Sequence, residues 1–520
     1  MSFFLSASLA LVVFSLLRFS FSRLYNHSAF SIASSKLGCA APKTLPSRDP
    51  FFGIDTVLST FKSIKDHCRM RTTQTQTRLY GHTFQSFPFG RRVVTTISPR
   101  NVQTVLSLEH EKFGVGPIRR PAEAMVGKGI ISNDGKVWEH GRSMIRPAFA
   151  RSQIADRGMF ERHVERLLAL LPQDNSVVDL QPLFDRLILD ASSEFIFGES
   201  FDSLLPDSPI DSQKFMDAFN TAQKGVGIRV ILGKMKFLVM RDRKFRESCD
   251  TIKQYTRRHV DRALDRREER KKDNARKTVL VYELAEETTD RSDLTSQLLN
   301  VFFAGRDTPA VALTNLFFLL ARHPNVWKRC KEEVQGLDKE DLSFEKLKSL
   351  RYVQHVINEG HISQESYHYH YDGADEEIAM RLLPPVAAQT RTCLTATTLP
   401  TGGGPSGKLP VYVVPGDTVA INFFTLHRDP SIFGPDPEDF RPERWTQVRP
   451  TWEFLPFGGG ARHCPAQQLA LFWVAYTFVR MLLAYDEVKN EDEVEEYVEN
   501  MKLNMESHNG AKVSFVSTGD

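Results

Sequence analysis

Apolar residues recur at helical spacing over Met159 to Leu171, Phe184 to Phe197, Ile252 to Arg270 and Thr295 to Arg322. Each stretch predicts a helix with a face to bury. A different pattern runs from Phe84 to Ile97, where β-type runs flank Pro88-Phe89-Gly90 and predict a hairpin. Ser98-Pro99 then reads as an N-cap followed by proline at the first helical position. Leu399 to Ala420 holds Gly402-Gly403-Gly404 and a β run at Val411 to Val414. From Arg262 to Lys277, basic residues with interspersed acids read as a solvated helix face and loop, with a partner-docking patch as the alternative. Repeats and regular strand–helix alternation are missing. The predicted class is therefore mainly α with small β-sheets (α+β), and no Rossmann sheet is implied.

The N-terminus has a pattern of its own. Phe3 to Leu17 is uncharged and mostly apolar, Arg18 interrupts, and Phe19 to Phe21 extend the stretch. This is a short span for ~30 Å of hydrocarbon. No Lys or Arg precedes residue 18, as the basic region of a cleaved signal would require. Arg18, Arg23 and Lys36 follow it, which puts the N-terminus in the lumen and the body in the cytosol. The expected organisation is a transmembrane anchor at 1–22, a linker with a proline hinge at 23–46, and one catalytic domain at 47–520.

Composition narrows the partners. The chain has 520 residues, 41% hydrophobic and 25% charged, which excludes a disordered or multi-span protein. Its 67 basic residues nearly balance 64 acidic ones, so no nucleic-acid partner is expected. Six cysteines without a Cys-x-x-Cys pair exclude a disulfide scaffold and read as thiols in a reducing compartment. The 37 phenylalanines imply aromatic packing, or an apolar ligand cavity.

One cysteine stands apart. In Phe454-Leu455-Pro456-Phe457-Gly458-Gly459-Gly460-Ala461-Arg462-His463-Cys464-Pro465-Ala466, three glycines permit a sharp turn and a close ligand approach. Cys464 and Pro465 then open an apolar helix, whose N-terminal dipole favours a thiolate and hence a metal ligand. Arg462 can meet an anionic group beside that metal. The string resembles the haem-binding loop of the cytochrome P-450 superfamily, Phe-x-x-Gly-x-Arg-x-Cys-x-Gly, on Phe457, Gly460, Arg462 and Cys464. Ala466 replaces its last glycine. The resemblance implies that Cys464 is the axial thiolate of haem b (heme b) iron.

Other segments resemble the same family. Ala304-Gly305-Arg306-Asp307-Thr308 is similar to its oxygen-activation motif. The resemblance implies that Gly305 leaves room for dioxygen, Thr308 hydrogen-bonds it and Asp307 helps relay protons. Pro309 departs from the pattern and frees the carbonyl of Gly305, so a kink or widened turn is predicted there. Trp138 and Arg142 match Trp-x-x-x-Arg, whose i, i+4 spacing puts both on one helix face, and the resemblance implies a haem propionate for them. Arg391 matches another propionate arginine. Phe440-Arg441-Pro442-Glu443-Arg444-Trp445 resembles the Pro-Glu-Arg-Phe segment.

The family's Glu-x-x-Arg pair is interrupted. Glu359 is followed by Gly360 to Ile378 before Ala379-Met380-Arg381. Deleting 360–378 restores the motif, and with Arg444 the pair is implied to form a buried ion network. Nineteen residues are a whole number of codons, a length that suits a short fungal intron translated in error. An evolved surface loop is a second reading, and a metal site at His368-Tyr369-His370 a third. As continuous helix, the segment would set Arg381 about 33 Å from Glu359 at ~1.5 Å per residue.

The implied function is a haem-dependent monooxygenase. It inserts one oxygen atom from O2 into a C–H bond of a hydrophobic substrate, with electrons from NADPH through a cytochrome P-450 reductase. Asp49 to Asp55, Phe113 to Pro117 and Trp138 to His140 resemble the fungal alkane and fatty-acid hydroxylase branch, whose relatives also serve secondary metabolism. Phe113 to Met125, Phe302 to Ala304, Val386 to Ala388 and Glu506 to Gly510 are the expected pocket walls. The expected location is the endoplasmic reticulum membrane, single-pass, with the catalytic domain cytosolic. A non-catalytic haem protein or pseudoenzyme is the alternative, because Glu-x-x-Arg is interrupted. A membrane-tethered helical scaffold without haem is a third class.

Overall fold

The computed structural model describes residues 31–49, 52–149, 157–233, 239–270, 279–359 and 381–517. The expected anchor at 1–22, the start of the linker and the insertion at 360–378 lie outside the described residues. Among the described residues, one helix, Gln467–Ala484, is long and apolar enough to cross a membrane. It is 67% buried inside the protein, as a core helix is.

The elements that position the site follow in chain order. Strands β1 (Lys43–Thr44), β2 (Thr83–Ser86), β3 (Val93–Thr96) and β4 (Phe113–Gly114) precede helix α1 (Gly135–Ile145). Then come α2 (Leu180–Phe197), α3 (Ile210–Leu232), α4 (Arg243–Asp265), α5 (Arg291–Gly305), α6 (Thr308–Ala321) and α7 (Arg351–Asn358). The last third carries β5 (Ala388–Cys393), β6 (Thr397–Gly403), β7 (Leu409–Val413), β8 (Thr418–Asn422), α8 (Gln467–Ala484), β9 (Glu499–Met501) and β10 (Met505–Ser507). Helices dominate and the sheets are small, as the periodicity predicts.

The largest sheet has the order β1-β2-β3-β8-β5-β4. β2 and β3 form the predicted hairpin, with Phe84 opposite Thr95 and a turn through Phe89 at φ 52°. β3 pairs in parallel with β8, Val94 beside Val419, and both side chains are fully buried. At the other edge β4 pairs with β5, which sets Gly114 beside Thr392 and brings the 113–126 loop against Arg391. Ser98 occupies the N-cap position before Pro99 without capping the helix. Its hydroxyl meets Thr401 Oγ1 at 2.8 Å instead, because β6 lies within reach.

The core is helical and aromatic. Phe184 of α2 meets Phe317 of α6 at 5.3 Å between centroids, and Phe160 stacks on Trp473 of α8 at 5.4 Å. Phe197, Phe201, Phe215, Phe219 and Phe302 pack into one buried cluster that joins α2, α3 and α5. Each such ring buries on the order of 150–250 Å², worth several kcal/mol at about 25 cal/mol per Å². Most of the phenylalanine content serves this packing. All six cysteines are free, and Cys249, Cys330 and Cys393 are buried.

The apolar run Thr295 to Arg322 is not one straight helix. α5 ends at Gly305, Arg306 and Asp307 turn, and α6 starts at Thr308 with Pro309 in its first turn. Proline has no N–H for the Gly305 carbonyl, and in a first turn that N–H would be unpaired anyway. The widened turn predicted from Pro309 is present.

Candidate active site

The cysteine loop is shaped by backbone contacts. Cys464 follows the short turn Gly460–Arg462 and precedes α8, and its amide donates to the Phe457 carbonyl at 3.0 Å. Gly460 has φ +66°, and a Cβ there would lie 1.9 Å from the Leu106 carbonyl oxygen. Only glycine fits, so the motif's glycine is a packing requirement as well as a signature. The Ala466 amide hydrogen-bonds the sulfur. Burial still pushes the Cys464 thiol above its ordinary value, against that amide and the charge of Arg142.

Cations crowd around this loop. α1 presents Trp138 and Arg142 one turn apart, as their spacing predicts. Arg142 Nη1 donates to the His463 carbonyl at 2.6 Å. Arg462 Nη2 donates to Asp134 Oδ1 at 2.7 Å and to the Asn133 carbonyl at 3.0 Å. Its guanidinium lies 4.5 Å from the centroid of the Trp138 ring. Arg391, 4% exposed in β5, donates only to neutral acceptors, the Thr390 carbonyl at 3.0 Å and Gln389 Oε1 at 3.1 Å. Burial, then the charges of Arg119 and Arg462, push Arg391 down to about 9. Burial also pushes Arg119 down, with Asp134 opposing.

Three guanidiniums, of Arg119, Arg391 and Arg462, thus share the Asp134 carboxylate, which already accepts the amides of Val115 at 2.9 Å and Gly116 at 2.8 Å. So much enclosed positive charge calls for an anionic ligand. A group with two carboxylates and an iron that binds thiolate fits this set of donors, and haem is such a group. Arg119 carries no motif, and the sequence does not set it apart from its charged neighbours Arg120 and Glu123.

The helix break forms another wall. Ala304 is exposed and Gly305 to Thr308 are half-buried, although the helix on either side is buried. A Cβ on Gly305 would meet nothing within 4 Å, so this glycine faces open space. The Thr308 hydroxyl donates to the Ala304 carbonyl at 3.0 Å and accepts from Asn504 Nδ2 at 3.3 Å. Asp307 is held by Arg306 Nε, and Gln223 Nε2 reaches it at 3.5 Å. Asn504 escaped sequence reasoning because it meets Thr308 only through the β9–β10 turn.

A chain of contacts joins this wall to the cysteine loop. Gln389 of β5 covers Gly458, and the Met505 amide donates to the Pro385 carbonyl at 2.7 Å. Between them Ala388 presents an exposed, small side chain, and Ala387 is buried. Phe113, Met125 and Phe302 are buried in the core, while Ala304 and Ala388 are among the exposed residues of the expected pocket walls.

The interrupted pair is made. Arg381 Nε and Nη2 donate to Glu359 Oε2 and Oε1 at 3.0 and 2.7 Å, and Arg444 Nε donates to Glu359 Oε1 at 2.6 Å. Glu359, Arg381 and Arg444 are 1%, 0% and 2% exposed. Separation along a continuous helix, the expectation from chain distance, does not occur. α7 ends at Asn358, and Arg381 meets Glu359 as a tertiary contact. A buried carboxylate between two buried guanidiniums is too costly to leave open.

A sequence model of the cytochrome P450 family matches residues 45–360 and 376–512, leaving out most of the insertion. The chain is 35% identical over 486 residues to Cytochrome P450 monooxygenase himC of Aspergillus japonicus, covering 92% of this chain and 83% of that protein. It is 34% identical over 465 residues to Cytochrome P450 monooxygenase apdE of Emericella nidulans, covering 88% and 85%. Cytochrome P450 52A12 of Debaryomyces hansenii is 33% identical over 492 residues, covering 90% and 91%. Motifs, buried cations and matches over most of the chain agree, and this protein belongs to the cytochrome P450 family of haem-thiolate monooxygenases.

Proposed function

We propose that this enzyme hydroxylates an apolar substrate, a fatty-acid-like chain or a secondary metabolite, at the site between Cys464 and the α5–α6 break. The observation that carries the reading is the cluster of Arg119, Arg142, Arg391 and Arg462 around Cys464, in which Asp134 is the carboxylate that faces Arg119, Arg391 and Arg462. Cys464 would hold the haem iron, and the arginines with Trp138 would hold the propionates. When bound, haem supplies the splitting of dioxygen, with one atom going to the substrate C–H bond and the other to water. Two electrons and two protons balance that outcome.

The chain's own residues supply binding, exclusion of water and proton delivery. Gly305 leaves space beside the helix, and a larger residue would fill it. Thr308 and Asp307 would carry protons from solvent to that space. Asn504 would hold the Thr308 hydroxyl in place. Ala304, Ala387 and Ala388 leave room for a chain or a ring, while the buried phenylalanines keep the surroundings dry.

Electrons would come from NADPH through a membrane reductase. The apolar span near Phe3 to Leu17 would tether the domain to the endoplasmic reticulum membrane, with its body in the cytosol. The pseudoenzyme alternative rests on the interrupted Glu-x-x-Arg motif, and the bidentate Glu359–Arg381 contact supports the enzyme reading over it. The insertion at 360–378 fits a mistranslated intron. Transcript sequencing tests that origin, and a chain lacking 360–378 should bind haem at least as well.

The deciding experiment is a reduced-CO difference spectrum of the expressed chain. A red-shifted thiolate band is expected, lost in Cys464→Ala, and its absence from the intact chain refutes the reading. Substrate-binding spectra with long-chain fatty acids against aromatic polyketides then identify the substrate class.

A further inference from the structure

Asp134 stands at the N-cap position of α1, where an aspartate ordinarily caps the helix, yet its side chain makes no cap bond. Both oxygens are engaged elsewhere. Oδ1 accepts the Val115 amide at 2.9 Å and Arg462 Nη2 at 2.7 Å, and Oδ2 accepts the Gly116 amide at 2.8 Å. The backbone closes tightly around this carboxylate. A Cβ on Gly114 would lie 2.5 Å from Oδ2, and one on Gly116 would lie 2.9 Å from it. Glycine at both positions is what allows the approach. One side chain therefore ties together the 113–116 segment, the start of α1 and the cysteine loop.

The tie fixes how Arg462 is presented. Both of its bonds leave from Nη2, one to Asp134 and one to the Asn133 carbonyl. Its guanidinium lies over the Trp138 ring. A planar group held at one nitrogen and across one face keeps little rotational freedom. Nε and Nη1 make no hydrogen bond with the described residues, so they are left for an anionic ligand. Without Asp134, Arg462 would meet only the like charges of Arg119 and Arg142, which repel it.

We propose that Asp134 is a positioning residue, which holds Arg462 for a haem propionate and with the same carboxylate fixes the 113–116 segment, an expected wall of the substrate site. It touches neither the substrate nor the reacting atoms. The anchoring of haem and the shape of that wall then depend on one anion. The proposal rests on the monooxygenase reading above and deepens it, by naming what sets a propionate arginine in place.

The test follows haem transfer from intact holoenzyme to an acceptor protein. Asp134→Asn keeps the shape of the side chain and removes its charge. Haem loss should become about ten-fold faster, the usual scale for a residue that orients others around a metal centre. Arg462→Gln should speed the loss as well. Adding Asp134→Asn to Arg462→Gln should then change little, because the two side chains act as a unit. Arg142 bonds the His463 carbonyl instead of Asp134, so Asp134→Asn should multiply the effect of Arg142→Gln. A general structural role for Asp134 would not distinguish the two arginines.

A second readout needs no variant. In wild-type holoenzyme the Val115 and Gly116 amides should exchange hydrogen about ten-fold or more slowly than in an unstructured peptide. Exchange should quicken at one of them or both in Asp134→Asn, whose NH2 group cannot accept, and stay slow in Arg462→Gln. Unchanged haem loss in Asp134→Asn, or effects of Asp134→Asn and Arg462→Gln that multiply, overturns the proposal. So does fast exchange at both wild-type amides, a result that stands even where Asp134→Asn does not fold. An intact chain without a thiolate CO band overturns the monooxygenase reading along with it, whereas a normal band with multiplying effects overturns the role of Asp134 alone.

Discussion

Two clusters of arginine lie in this protein, one around Glu359 and one around Cys464, and they are built on opposite terms. Around Glu359, every donor is used. Besides the carboxylate, Arg381 reaches the carbonyls of His427 at 3.2 Å and Asp439 at 3.0 Å, and Arg444 reaches Asp436 Oδ1 at 3.1 Å and the Asp439 carbonyl at 3.0 Å. Around Cys464, Arg391 finds only neutral acceptors and faces Arg119 and Arg462. The first cluster is complete within the chain. The second is complete only with an anion. Saturation marks a charge that holds the fold, and excess marks one that waits for a ligand.

Substitutions can break that contrast. Glu359→Gln strands two buried guanidiniums and should cost about 3–5 kcal/mol in urea unfolding, with or without haem. Arg391→Gln should do the reverse. Haem binding should weaken by about 1.5–3 kcal/mol, the worth of a hydrogen bond to a charged group, measured by haem transfer to an acceptor protein. The unfolding midpoint of the haem-free chain should not drop, because a repulsive charge has gone. If haem-free Arg391→Gln unfolds as readily as Glu359→Gln, the two clusters are not different in kind.

Two glycines sharpen the same distinction. Gly460→Ala drives a Cβ into the Leu106 carbonyl at positive φ and should cost about 1–3 kcal/mol in thermal unfolding. Gly305→Ala meets open space and should change stability by less than about 1 kcal/mol while altering substrate-binding spectra. The smallest effect belongs to the exposed pair Arg243–Glu247, at i, i+4 on α4. Its removal should cost no more than about 0.5 kcal/mol, which makes it the control.

Much of this was legible before any fold. The Pro309 break follows from one missing N–H, and the hairpin around Phe89 from its turn residues. Cys464, Arg462, Trp138 and Arg142 belong to local strings whose spacing survives folding, so their convergence on one loop matched expectation. Burial of the Cys464 sulfur, by contrast, is a property of everything packed around it. The Ser98 cap did not form, because Thr401 draws its hydroxyl away.

The sequence by itself determined which side chains carry the chemistry, because turns, breaks and one-turn spacings are fixed by neighbouring residues. Only the tertiary structure decided that Arg381 closes on Glu359 across 360–380, that Arg119 joins the cations, and that Asn504 reaches the Thr308 hydroxyl at the helix break. Those contacts span tens to hundreds of residues. Charge and desolvation act through space, and chain distance carries no record of them.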